Sequence, residues 1–140
     1  MEHEYTGGCL CGSFRFRFSG DAAFSINCHC RDCQRATGGC FASVFAIPKV
    51  RLTMEGDYHF HTMRGGSGGE ISRGFCPHCG SRAVSKLDKF PDHYLVYGVS
   101  LDDPTWHKPT VDIWTSSAQA WDCMDPLLPK FEKGIVRSPG

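Results

Sequence analysis

The chain has no excess of charge of either sign. Its 140 residues carry 15 Lys and Arg against 15 Asp and Glu, a formal net charge of zero with a pI near 7.0. A balanced chain lacks the electrostatic footprint of a general nucleic-acid binder; only a local basic patch would be compatible with it. Long apolar runs are missing too, and none approaches the roughly 18 residues of a membrane helix. There is no internal repeat and no low-complexity tail. The first residues, Met1-Glu2-His3-Glu4-Tyr5, are acidic and polar. They have neither the basic region nor the apolar stretch of an export signal, so a reducing, cytoplasmic compartment is expected. Long helices are disfavoured, because 16 Gly and 8 Pro are spread along the chain.

What the chain does have is cysteine, nine in all. In a reducing compartment dense cysteines serve more often as metal ligands than as disulfides. An odd count also fits poorly with a fully paired framework. Aromatic residues make up 12%, and 10 of them are Phe. Ser13-Phe14-Arg15-Phe16-Arg17-Phe18 alternates polar and aromatic with period 2, which predicts a strand with Arg15 and Arg17 facing solvent. Further strands are expected at 24–28, 41–47, 57–62, 70–75, 82–85, 94–101 and 111–115. A short helix or turn is expected at 31–37, ended by Gly38-Gly39, and a short helix near Ala118 to Trp121. Arg64 to Gly69 reads as a loop. It is not a phosphate cradle, because it lacks the Lys-Ser/Thr ending and a following helix. Many short strands with Gly/Pro turns predict an all-β or β-rich fold with short helices, one domain over residues 1–140.

The cysteines fall into two sets. Cys76-Pro77-His78-Cys79-Gly80 is a knuckle whose spacing lets two thiolates grip one tetrahedral ion, with the glycine permitting the tight turn. Cys9-Leu10-Cys11-Gly12 is the natural second pair, across 64 intervening residues. Together Cys9, Cys11, Cys76 and Cys79 predict a closed, structural four-thiolate site, with free thiols or local disulfides as the alternative. The second set is Cys28-His29-Cys30-Arg31-Asp32-Cys33. Cys28, Cys30 and Cys33 can cap one face of an ion and leave a position open, as catalytic zinc requires. Cys30 and Cys33 also have redox Cys-x-x-Cys spacing. In an extended segment His29 points away from its cysteine neighbours and is a flanking group. Cys40 and Cys123 are expected as buried thiols, and His59 and His61 as structural or surface groups on one strand face.

Three ordered motifs, Gly8-Cys9-Leu10-Cys11-Gly12, Cys28-His29-Cys30-Arg31-Asp32-Cys33-Gln34-Arg35 with Gly38-Gly39, and Phe75-Cys76-Pro77-His78-Cys79-Gly80-Ser81, resemble the glutathione-dependent formaldehyde-activating enzyme family, which includes centromere protein V. Val111-Asp112-Ile113-Trp114, Ala120-Trp121 and Leu128-Pro129-Lys130-Phe131-Glu132 extend the likeness to about residues 6–132. The resemblance implies a zinc-bearing β-tent of packed antiparallel sheets. It implies a structural zinc at Cys9, Cys11, Cys76 and Cys79 and a second, exchangeable zinc at Cys28, Cys30 and Cys33. Many relatives carry His at the position of Asp112.

The activity it implies is that of a carbon–sulfur lyase resembling S-(hydroxymethyl)glutathione synthase. A small thiol such as glutathione would meet formaldehyde or another aldehyde at Cys28, Cys30 and Cys33. His29 or Asp32 would donate the proton that quenches the oxyanion. Arg31, Arg35 and Arg64 would take the carboxylates of glutathione, which Arg binds bidentately. Two other classes compete. One is a non-catalytic zinc module binding a protein or nucleic acid, for which Arg15 and Arg17 would be the patch. The other is a thiol redox enzyme, in which Cys40 or Cys123 would react. No membrane partner is expected, and the pattern does not fix an oligomeric state.

Overall fold

The computed structural model describes residues 3–66 and 68–135. Met1 and Glu2 of the acidic start and Ser67 of the glycine-rich loop lie outside the described residues. The strands are β1 (Glu4–Gly8), β2 (Arg15–Ser19), β3 (Ser25–Cys28), β4 (Ala42–Pro48), β5 (Leu52–Glu55), β6 (His59–Arg64), β7 (Glu70–Phe75), β8 (Val84–Leu87), β9 (His93–Tyr97) and β10 (Asp112–Ile113). One α-helix, α1 (Arg31–Thr37), joins β3 to β4. β1, β2 and β5 form a small antiparallel sheet, in that order. The rest form a larger sheet in the order β10-β3-β4-β9-β8-β7-β6, antiparallel except where β10 runs parallel to β3. The fold is therefore β-rich, with packed antiparallel and mixed sheets. No helix among the described residues is long and apolar enough to cross a membrane.

The alternation in β2 does what its period requires. Phe16 and Phe18 are buried while Arg15 and Arg17 are exposed, and Phe14 joins the same core. Phe18 meets Phe45 of the larger sheet at 5.5 Å between ring centroids, and Phe14 stacks on Tyr58 at 3.9 Å. Burying one such ring contributes about 1.5–3 kcal/mol. Ile47, Val84 and Val96 complete this core between the sheets, and Cys9 and Cys76 belong to it.

The opposite face of the larger sheet holds a second cluster, of Ala42, Val44, Ala46, Leu95 and Tyr97 with Cys33 of α1. Cys28 and Cys30 pack at its edge. This sheet curls: Trp114, just beyond β10 at one edge, lies so close to Gly66 in the β6–β7 turn at the other that a Cβ on Gly66 would meet its ring at 3.4 Å.

Several elements differ from expectation. β1 is hidden in the sequence because it ends in Gly7-Gly8. Yet Gly7 is required there, since a Cβ would sit 2.5 Å from the Phe16 ring. β5 escapes notice because only Leu52 of its four residues is buried. The expected strand 94–101 stops at Tyr97 and turns into a 3-10 segment, Gly98–Ser100, where Gly98 lets the His107 ring come close. β8 lies two residues beyond its expected place, and the strand expected at 111–115 shortens to Asp112–Ile113. No helix forms at Ala118 to Trp121. The helical turn there is the 3-10 segment Thr115–Ser117, which ends as Ala118 becomes extended.

Tyr58 ties β6 to β8. Its hydroxyl donates to the Val84 carbonyl at 2.8 Å and accepts from the N–H groups of Ala83 and Val84. Burial pushes this phenol up from 10.0 to about 12, against the backbone hydrogen bonds that pull it down. Tyr58→Phe should cost about 1–3 kcal/mol, because three backbone groups lose their partner. The advantage of the wild type is whole below pH 10 and should be lost as pH rises through 12, since only the neutral phenol is favoured in the folded state. Paired urea titrations of the two proteins across that range measure it. A constant difference would mean that the hydroxyl does not titrate with folding.

Candidate metal centres

Two glycine-closed turns, one of them a residue longer than the other, bring four sulfurs together. Each pair of cysteines is closed by a left-handed glycine, Gly12 (φ 81°) after Cys11 and Gly80 (φ 77°) after Cys79. Gly12 N–H returns to the Cys9 carbonyl at 3.2 Å and Gly80 N–H to that of Cys76 at 2.8 Å. The sulfurs of Cys9, Cys11, Cys76 and Cys79 lie within 4.8 Å of one another. Cys9 and Cys11 Sγ are 3.6 Å apart and Cys11 and Cys76 Sγ 3.8 Å. A tetrahedron with metal–sulfur bonds of about 2.3 Å has edges of about 3.8 Å, so these four fit a thiolate-bound ion. Both separations are far beyond a disulfide bond of about 2.05 Å. The surroundings of two of the four favour the thiolate. Burial opposes ionisation of Cys9, but the Phe14 N–H and the neighbouring Cys11, Ser13 and Cys76 groups bring it down to about 7. Hydrogen bonds from Ser81 and from the Cys11 backbone hold Cys79 at about 5.

The second set forms at the start of α1. Cys28 ends β3, and Cys30 caps the helix by accepting the Cys33 N–H at 3.3 Å. α1 ends where Gly38 turns left-handed (φ 75°). The sulfurs of Cys28, Cys30 and Cys33 also lie within 4.8 Å of one another, with no fourth Cys, His or carboxylate among the described residues. Three thiols so close share one easily lost proton. Hydrogen bonds from Cys28 and Cys33 hold Cys30 down to about 2, while the hydrogen bonds with Cys30 and Cys33, together with burial, push Cys28 strongly up. A metal ion bound here would displace the remaining protons, and three converging sulfurs fit one.

A scan of family models matches residues 4–117 to the glutathione-dependent formaldehyde-activating enzymes. The chain belongs to this family. A solved protein of Rhodobacter sphaeroides shares the fold, with a TM-score of 0.53 and 22% identity over 69% of this chain and 87% of that one. No curated protein matches the sequence.

In this member of the family His29, expected as a flanking group or as a proton donor, stands between two aspartates. The ring is wholly buried, and neither nitrogen is free. Nδ1 faces Asp122 Oδ2 at 2.5 Å and Nε2 faces Asp112 Oδ1 at 2.8 Å. Lys130 donates to Asp112 Oδ2 at 3.1 Å. Burial opposes ionisation of Asp112, but His29 and Lys130 keep it below its ordinary range. The His29 N–H also binds the Ile113 carbonyl, and Gln34 donates to the His29 and Ser117 carbonyls. His29 thus bolts the 28–33 loop to the segment 112–130, and Asp112 is part of that bolt.

Of the three arginines expected to hold substrate, two line one cleft. Arg31 and Arg35 line a shallow cleft of about 270 Å³ with Gln34, Cys40 and Trp121, and none of the three cysteines lines it. Arg64 stands exposed at the end of β6 and donates to the Gly68 carbonyl. Asp32 lies half-buried in the first turn of α1. His59 and His61 are exposed on β6. Cys40 is half-buried, but Cys123 is exposed, contrary to expectation, because the chain from 118 onward runs as surface turns.

One arginine that does reach the sulfurs escaped the sequence reading. Arg73 of β7 is 6% exposed, and its Nη2 lies 3.9 Å from Cys33 Sγ. Its place in a β-prone run, Ile71 to Phe75, was the one available signal. Asp122 was missed as well, since nothing near it in sequence is regular.

Cys76→Ser should release one firmly held metal ion per chain and lower the melting temperature, as metal analysis with calorimetry will show. His29→Ala should cost about 3–5 kcal/mol, since it takes a buried partner from both carboxyl groups and only Asp112 keeps another, Lys130. A loss below about 1 kcal/mol in chemical denaturation would mean that the clamp carries little of the fold's stability.

Proposed function

We propose that this chain is a zinc-dependent enzyme of carbon–sulfur bond chemistry, which joins a small thiol such as glutathione to formaldehyde or a similar aldehyde and reverses that reaction. The observation that carries this reading is the convergence of Cys28, Cys30 and Cys33 without a fourth ligand among the described residues. Membership of the formaldehyde-activating family supports it. Zinc suits both donor sets: four thiolates make a closed structural site, and three leave a position open. A zinc ion at the three cysteines would supply deprotonation of an incoming thiol at neutral pH.

The chain's own residues do the rest. Cys28, Cys30 and Cys33 hold the ion. The Asp112–His29–Asp122 clamp and the Cys33 N–H on Cys30 fix where those sulfurs point. The apolar face of Val44, Ala46 and Leu95 keeps water from the sulfurs on the sheet side. In the forward direction a sulfur lone pair forms the C–S bond, the carbonyl π pair moves to oxygen, and the thiol's proton ends there. The product is an S-hydroxymethyl thioether, with atoms and electrons balanced and no redox partner required. A reducing compartment such as the cytoplasm would keep the thiols available.

Native mass spectrometry of the purified chain, with and without glutathione, tests the reading. Two zinc ions, or one firm ion and a second that takes up or yields to glutathione, are expected. One firm ion with no thiol adduct, and Cys28, Cys30 and Cys33 free or oxidised, would overturn it in favour of redox chemistry or a binding module.

A further inference from the structure

Arg73 is an unusual residue for the inside of a sheet. It is 94% buried by its 6% exposure, on the same face as the three-sulfur cluster, directly across from Ser85 on β8 and His61 on β6. Arg keeps its charge at any ordinary pH, and a buried charge is costly unless it is compensated. No carboxylate pairs with Arg73 among the described residues; its one hydrogen bond is the contact of 3.9 Å with Cys33 Sγ.

A second guanidinium stands further along α1: Arg82 is half-buried and donates from Nε to the Ala36 carbonyl at 2.6 Å. Of the two, Arg73 alone touches the sulfurs, as a buried cation with no carboxylate paired to it among the described residues.

A divalent ion on three thiolates would have a net charge of −1, and a fourth, anionic sulfur would bring the centre to −2. A buried cation 3.9 Å from Cys33 Sγ favours that added charge, and it does nothing comparable for a neutral ligand. We propose that Arg73 is the specificity-determining charge of this site. It makes the open position favour an anionic sulfur ligand over a neutral one. This rests on the reading of Cys28, Cys30 and Cys33 as an open metal site, and it adds which residues choose the ligand's charge. Arg73 acts through electrostatics and position. His61 across the strand is exposed, so the face opens to solvent on that side.

The test is calorimetric titration of the zinc-loaded chain with 2-mercaptoethanol, which has no carboxylate, and with imidazole, a neutral ligand. Arg73→Gln should weaken binding of the thiol by about tenfold or more, as loss of an opposite charge at this distance implies, and leave imidazole unchanged. Arg73→Lys should recover most of the thiol affinity. It keeps the charge, so it also serves should the Gln variant fold poorly. Equal thiol affinity in wild type and Arg73→Gln, or equal losses for thiol and imidazole, would overturn the role of Arg73 while leaving the open site intact. A zinc-loaded wild type that binds neither ligand would overturn the open site itself and the inference with it.

Discussion

Four sulfurs that could share one metal ion meet at one point and bring distant parts of this chain together. Cys9 and Cys11 lie between the two strands that begin the smaller sheet, and Cys76 and Cys79 follow β7 of the larger one. Their convergence closes a loop of 64 residues and sets the distance between the sheets. The aromatic core of Phe14, Phe16, Phe18 and Phe45 fills the space so fixed, and Cys9 and Cys76 are part of its wall. In a domain with one seven-residue helix and mostly short strands, few single contacts could do the same. Binding energies of about 10–16 kcal/mol for structural zinc in small peptides show the scale of such a tie.

The two faces of the larger sheet then divide the labour. One is dry and aromatic and carries stability. The other carries three thiols, a buried arginine and Tyr97. Strand pairing keeps the faces apart because side chains alternate, so Phe45 and Val44, adjacent in sequence, serve opposite sides. The clamp of His29 between Asp112 and Asp122 belongs to this division. It anchors the cysteine loop to the C-terminal segment, which supplies the parallel strand β10 and the Trp114 that spans to the far edge. Trp114 holds a left-handed backbone (φ 57°), rare for a bulky residue, with its N–H on the Lys133 carbonyl.

The candidate metal-ligand sets were the most legible part of the chain, because their cysteines come in short motifs, Cys9/Cys11, Cys28/Cys30/Cys33 and Cys76/Cys79, with spacings that suit an ion. β2, β3, α1, β4 and β7 could also be read, since each has a clear period or a clear stop. β1 and β5 could not. Their identity as strands comes from neighbours that pair with them, and glycines or charged residues mask the pattern. Cys123 shows the limit in the other direction: cysteine is usually buried, but burial depends on what covers it, and nothing does here.

The sequence by itself determined that this chain is β-rich, that seven of its cysteines form two metal-ligand sets, and to which family it belongs. Those properties rest on local spacing and on periods of a few residues. Only the tertiary structure decided which charges stand beside the reactive sulfurs. Arg31 and Arg35, next to the cysteines in sequence, line a cleft that those sulfurs do not. Arg73 and Asp122, 40 and 89 residues from Cys33 in sequence, are brought to the loop and its clamp by sheet pairing and chain return. Electrostatics depends on distance through space, and a sequence specifies that distance only through the whole fold.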